Sequence, residues 1–117
     1  MGVVSNTMFS AAVLEEDLAH HGLLQYLEVV VSSADYGLRK PHPLLFEVAL
    51  ARMGLEAAGT WYAGDRPEFD VAGARAAGLT AVLYAAAAAA GEVADPAPDI
   101  TVRIWDELGQ RLASLRT

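Results

Sequence analysis

The chain contains no cysteine. This removes disulfides and thiolate metal sites and is the pattern expected of a cytoplasmic protein. Basic residues are also scarce: eight Lys and Arg stand against fifteen Asp and Glu, for a formal charge of −7. Phosphate backbones are bound mainly by clusters of Lys and Arg, and none occurs here, so nucleic acid is not an expected partner. No apolar run approaches the ~20 residues that span a bilayer, which sets aside a membrane partner. The opening Met1-Gly2-Val3-Val4 has no basic region or cleavage site, so no signal peptide is expected there.

What is present is a globular composition. Of 117 residues, 54% are hydrophobic and 20% charged, which predicts one folded domain over residues 1–117. Strand-length apolar runs alternate with segments of helical period. Gly2 to Ser5 reads as a strand and Asn6-Thr7 as a turn. Ser10 is placed to cap a helix whose Val13, Leu14 and Leu18 share a face, ending near Gly22. Glu28 to Ser32 carries Val29-Val30-Val31, a β-branched run typical of a doubly buried strand.

Pro43 suits the first turn of the next helix, where its missing N–H costs nothing. Leu45, Val48, Ala49 and Met53 form that helix's buried stripe, and Gly54 ends it. Thr60 to Ala63 is a third strand, and Phe69, Ala72 and Ala76 mark a helix closed by Gly78. Thr80 to Tyr84 is a fourth strand and Ile100 to Val102 a fifth. A last amphipathic helix carries Ile104, Leu108, Leu112 and Leu115. The Ala85–Ala90 run and the Pro-rich residues after it read as a surface connection. Such alternation predicts an α/β fold: a Rossmann-like parallel sheet of four or five strands, helices on both faces, chemistry at the strands' carboxyl ends.

Three of those ends hold polar groups of complementary type. Ser5-Asn6-Thr7 offers a hydroxyl beside free backbone N–H groups, suited to a phosphoryl oxygen, although such a cluster also serves as a turn or helix cap. In Gly37-Leu38-Arg39-Lys40-Pro41-His42-Pro43, Lys40 is held extended by the following proline and lies near a helix N-terminus. It could neutralise a phosphoryl group and a carboxylate together, or be a surface lysine. His42 reads better as a helix-start residue than as a base, and Arg39 as solvated. In Gly64-Asp65-Arg66-Pro67-Glu68-Phe69-Asp70, Asp65 and Asp70 straddle a strand-to-helix turn. Paired carboxylate oxygens there suit Mg²⁺. Asp70 is equally an acid favoured by a helix dipole, which is all that Glu68 needs to be.

In order and spacing, Val3-Val4-Ser5-Asn6-Thr7, Gly37 to Pro43, and Tyr62-Ala63-Gly64-Asp65 with Asp70-Val71-Ala72-Gly73-Ala74-Arg75-Ala76-Ala77-Gly78 resemble the haloacid dehalogenase-like (HAD) hydrolase superfamily. The resemblance runs from residue 2 to about 84, and the tail from Pro98 to Leu115 is similar to the family's closing strand and helix. It implies that Ser5 and Asn6, with Lys40, bind the phosphoryl group. Lys40 would be the catalytic lysine that balances the nucleophile's charge. Asp65 would be a Mg²⁺ ligand and Asp70 the second acid supporting the metal. Most members are phosphatases working through an aspartyl-phosphate; a minority are dehalogenases without the metal. The implied substrate is a small phosphorylated molecule.

One departure is large. The family's first motif, an Asp-x-Asp on the central strand, has no counterpart here, and neither does the cap domain. That motif supplies the nucleophile and a metal ligand, so weak Mg²⁺ binding and no turnover by the chain alone are expected. The alternative is a non-enzymatic binding module using the residual site or a sheet edge. The central strand lies between the strands ending at Ser5 and Gly64. Those two strands should therefore either pair directly or present edges to a partner, and a homodimer is the favoured outcome.

Overall fold

A computed structural model of the chain describes residues 1–85 and 95–114. Its elements are β1 (Gly2–Ser5), α1 (Ala11–His20), β2 (Val29–Ser32), α2 (Ser33–Tyr36), α3 (Leu44–Met53), β3 (Trp61–Gly64), α4 (Ala72–Ala76), β4 (Thr80–Tyr84), β5 (Ile100–Val102) and α5 (Trp105–Ser114). A 3₁₀ turn over Leu24–Tyr26 precedes β2, and a π-helical turn over Pro67–Val71 follows β3.

The strands form two parallel sheets, β1-β2 and β3-β4-β5. In the first, Ser5 stands in register with Ser32. In the second, Gly64 stands beside Leu83. The expected α/β architecture is therefore present, with a break between the two sheets, which no ladder joins among the described residues. Direct pairing of β1 with β3, one of the two expected ways to close the break, does not occur: the two strands belong to separate sheets.

Helix α3 sits across the break. Its Leu45 and Ala49 join Val4, Val29 and Val31 in one buried cluster. Its Phe46 joins Val71, Ala74, Leu79, Ala81, Leu83 and Ala85 in the other. Two adjacent residues on one helix thus serve two cores. Fully burying Leu45 and Phe46 contributes on the order of 1.5–3 kcal/mol each. The expected stripe on α3 omitted Phe46 because it assumed a single packed face. Val30 and Val82, which alternate to the opposite sides of β2 and β4, are also buried, so both strands are covered on both faces.

Several boundaries differ from expectation for physical reasons. β3 runs one residue later than Thr60–Ala63, so that Gly64 closes it. The helix expected from Phe69 onward begins instead as the π turn. Its wider turn rotates the packed face, so Val71 and Ala74 are buried where Ala76 is exposed. On α1 the packed residues are Leu14 and Leu18, while Val13 is exposed. Ile104 precedes α5, and both it and Leu112 are exposed. Leu115 and all of the Ala85–Ala90 run except Ala85 lie outside the described residues.

Candidate functional site

The loop after β1 is fastened to the end of β2 by two serines. Ser33 accepts a hydrogen bond from the Thr7 N–H (2.9 Å) and donates to the Thr7 carbonyl (3.0 Å). Ser32, fully buried, donates to the Phe9 carbonyl and accepts from the Ala34 N–H. Asp35 adds a bond from the Ala11 N–H at 2.9 Å. This fastening fixes where Ser5 and Asn6 leave the sheet. The serines drew no attention in the sequence, since two hydroxyls at a strand end show no partner until the fold supplies one. Ser5 is partly exposed, and its hydroxyl makes no hydrogen bond among the described residues.

Asn6 spends its side chain on Lys40. Its Oδ1 accepts from the Lys40 N–H at 2.7 Å, and its Nδ2 donates to the Lys40 carbonyl at 3.3 Å. The amide thus pairs with the lysine's backbone as a neighbouring strand would. Asn6 thereby positions the lysine, using its Oδ1 and one of its two Nδ2 hydrogens. His42 behaves as a helix-start residue: its Nδ1 accepts from the Leu44 N–H at 3.1 Å. Arg39 is exposed.

Lys40 is the only lysine in the chain, and it is turned inward. Its Nζ lies 2.6 Å from Asp70 Oδ1, with the two side chains 11% and 5% exposed. The same Nζ donates to the Tyr62 hydroxyl at 3.0 Å. Tyr62 Oη in turn lies 3.2 Å from both Asp70 Oδ1 and the Val4 carbonyl. A phenol has one proton, so it accepts from Lys40 and donates to one of these two oxygens. Burial, first, and then the charges of Asp70 and Asp65 push the Tyr62 phenol well above its ordinary pKa.

The other Asp70 oxygen accepts from the Arg66 N–H at 3.0 Å. The π turn makes this possible by carrying Asp70 back over the end of β3. Gly64 has to be glycine for the same reason: a β-carbon there would overlap the Asp70 carboxyl group. Gly73 meets a similar demand, since a β-carbon there would run into the Phe46 ring.

Asp65, at the tip of β3, is exposed and makes no hydrogen bond or ion pair among the described residues. Glu68 pairs with Arg66 at 3.0 Å. Its carboxyl is lowered by its own backbone N–H and then by Arg66, as suits an acid at a turn start. As a Mg²⁺ site the arrangement is incomplete. Both Asp70 oxygens are engaged, and no three His, Asp or Glu side chains converge among the described residues. Asp65 alone is free, and Mg²⁺ normally takes one or two carboxylates together with substrate oxygens and water.

The structure therefore brings Asn6, Lys40 and Asp70 into one connected cluster beside the end of β1 and leaves Ser5 and Asp65 open at its rim. It adds Tyr62, which sequence reading missed. The available signal was its place two residues before Gly64 on one strand, hence on the same face.

The chain is similar to several known proteins. The chain is 39% identical over 67 residues to a glyceraldehyde 3-phosphate phosphatase of Methanocaldococcus jannaschii, covering 57% of this chain and 29% of that protein. A crystal structure of a HAD phosphatase from Thermococcus onnurineus matches 85% of the chain and 45% of its own, with a TM-score of 0.75 and 31% identity. That of a 2-haloacid dehalogenase from Pseudomonas syringae pv. Tomato DC3000 matches 98% of the chain and 47% of its own, with a TM-score of 0.78 and 30% identity. The chain thus spans less than half the length of each of these relatives. A sequence profile of haloacid dehalogenase-like hydrolases matches residues 1–84, and the chain belongs to that family.

Proposed function

We propose that this chain supplies the phosphoryl-binding and charge-balancing part of a phosphatase-type hydrolase site acting on a small phosphorylated molecule. The observation that carries the reading is the inward-facing ammonium of Lys40, tied to Asp70 and placed beside the end of β1 where Ser5 offers a free hydroxyl. Such a group neutralises charge where a phosphoryl oxygen collects it, which is the main work a protein does in phosphoryl transfer.

Attack at phosphorus needs a nucleophile aligned with the leaving group. No Asp-x-Asp pair occurs in the sequence, and among the described residues the free carboxylate beside the site is Asp65. The covalent step accordingly requires a carboxylate from a strand that would lie between β1 and β3. Asp65 is the residue to share a Mg²⁺ with such a carboxylate, while Asp70 acts through Lys40. Phosphatase chemistry is favoured over dehalogenation because Asp65 stands open at the strand tip, where a metal acid would be used. A second copy of the chain is the proposed partner for the open edges.

The test is binding and turnover measured on the same preparation. Inorganic phosphate should bind the parent protein and lose affinity about tenfold or more in Lys40→Ala, as expected for loss of a charge-assisted contact. A generic aryl phosphate with Mg²⁺ should not be hydrolysed. Turnover that vanishes in both Lys40→Ala and Asp65→Ala would show that the chain needs no further carboxylate. Phosphate binding untouched by Lys40→Ala would remove the reading altogether.

A further inference from the structure

A lysine ammonium sits on a flexible four-carbon stem and carries three donors that rotate together. One contact to a carboxylate fixes its position but not its direction. Here two acceptors are fixed, Asp70 Oδ1 at 2.6 Å and the Tyr62 hydroxyl at 3.0 Å. With two N–H bonds committed, the direction of the third is set by tetrahedral geometry.

Tyr62 is itself held rigidly. Its ring meets Phe46 edge to face, with centroids 4.7 Å apart and planes at 85°, and it packs against both buried clusters. Its hydroxyl also reaches the Val4 carbonyl on β1, so it spans the break between the two sheets. The Lys40 Nζ lies 5.5 Å from its ring centroid. A phenylalanine would fill the same apolar space. Packing therefore does not account for a hydroxyl with three polar neighbours.

We propose that Tyr62 is a positioning residue for Lys40: its hydroxyl, held between Asp70 and the Val4 carbonyl and donating to one of them, aims the third N–H of the ammonium toward the phosphoryl-binding strand ends. The proposal rests on the phosphoryl-binding reading of the site. Asp70 supplies the charge that keeps the ammonium in place, and Tyr62 supplies its direction. Tyr62 also links that direction to β1, the strand that carries Ser5.

Lys40 being the sole lysine makes the test selective, because the full chain has one side-chain ammonium to observe by ¹⁵N NMR. In the parent protein that ammonium should give a correlation protected from water exchange and a nuclear Overhauser contact to the Tyr62 ring. In Tyr62→Phe the correlation should broaden through faster exchange, while circular dichroism stays that of the parent. Affinity for inorganic phosphate should fall about fivefold, the size of one lost neutral hydrogen bond.

An unchanged ammonium signal in Tyr62→Phe overturns the proposal. So does the absence of the ring contact in the parent protein, a measurement that needs no variant to fold. Phosphate binding that Lys40→Ala leaves unaltered defeats the phosphoryl-site reading instead. The ammonium signal would then still decide whether Tyr62 directs the lysine.

Discussion

Lys40 and Asp70 form the only ion pair among the described residues in which both partners are shielded from water; the others lie on the surface, with both side chains at least 42% exposed. Exposed pairs contribute roughly 0–1 kcal/mol. Removing one member of a buried pair costs about 3–5 kcal/mol, because the survivor remains charged and desolvated. Lys40→Met should therefore lower the unfolding free energy, measured by urea titration, by an amount in that range. Lys40→Met combined with Asp70→Asn should lower it by less than Lys40→Met alone, since no buried charge is then stranded. Equal losses in the single and the double variant would show that Asp70 is sufficiently solvated by its other partners.

Tyr62 gives the same cluster a pH signature. Its phenol is raised above the ordinary 10.0, so the folded state keeps a proton that the unfolded chain gives up. The associated stability is intact below pH 10.0 and is lost progressively as pH climbs from there toward the folded-state pKa. In a near-ultraviolet titration of the four tyrosines, Tyr62 should ionise only as the protein unfolds. Tyr62→Phe should remove part of the alkaline loss of stability. Ionisation of Tyr62 near pH 10.0 in the folded protein would contradict the burial seen here.

Elements were legible in the sequence where one local preference acted alone. The β-branched Val29-Val30-Val31 run is a strand, as expected, and Ser10 caps α1 by accepting from the Val13 N–H at 3.4 Å. Gly54 ends α3 in the left-handed conformation at φ 68°. Elements that depend on tertiary partners were not legible. The π turn exists because Asp70 folds back to the Arg66 N–H and Lys40, and no window of Pro67 to Val71 announces that. Such turns recur at functional sites, where an extra residue re-aims a side chain. The sequence singled out Asn6, Lys40 and Asp70 but not their arrangement: Asn6 and Asp70 both turn out to hold Lys40.

Gly64→Ala tests that dependence at the level of the element. The added methyl would occupy the space of the Asp70 carboxyl, so either β3 or the π turn has to move. Overpacking of this kind typically costs about 1–3 kcal/mol, measurable by thermal unfolding. It should also disturb the Lys40 ammonium signal, because the carboxylate that holds it is displaced. A stable Gly64→Ala protein with an unperturbed ammonium would mean that the turn has room the structure does not show. Ala74→Gly, on α4 away from this contact, should lower stability without that change in the signal.

At the scale of the whole molecule, the break between the two sheets is the feature that organises everything else. Among the described residues it is bridged by α3, which places Leu45 on one side and Phe46 on the other, and by Tyr62, whose hydroxyl reaches the Val4 carbonyl. Among the described residues no ladder joins β1 to β3, and each has an edge without a strand partner. Unpaired parallel edges are templates for a further strand, and isologous pairing of identical edges is the commonest way for one kind of chain to close such a surface. The chain should therefore sediment as a dimer at micromolar concentration and dissociate on dilution. Tyr62→Phe should leave that equilibrium nearly unchanged, because the phenol crosses the break within one chain. A well-folded monomer across that range would show that α3 and the Tyr62 bridge suffice to hold the two sheets without a third strand. The carboxyl ends of β1 and β3 would then be held in place by side chains alone.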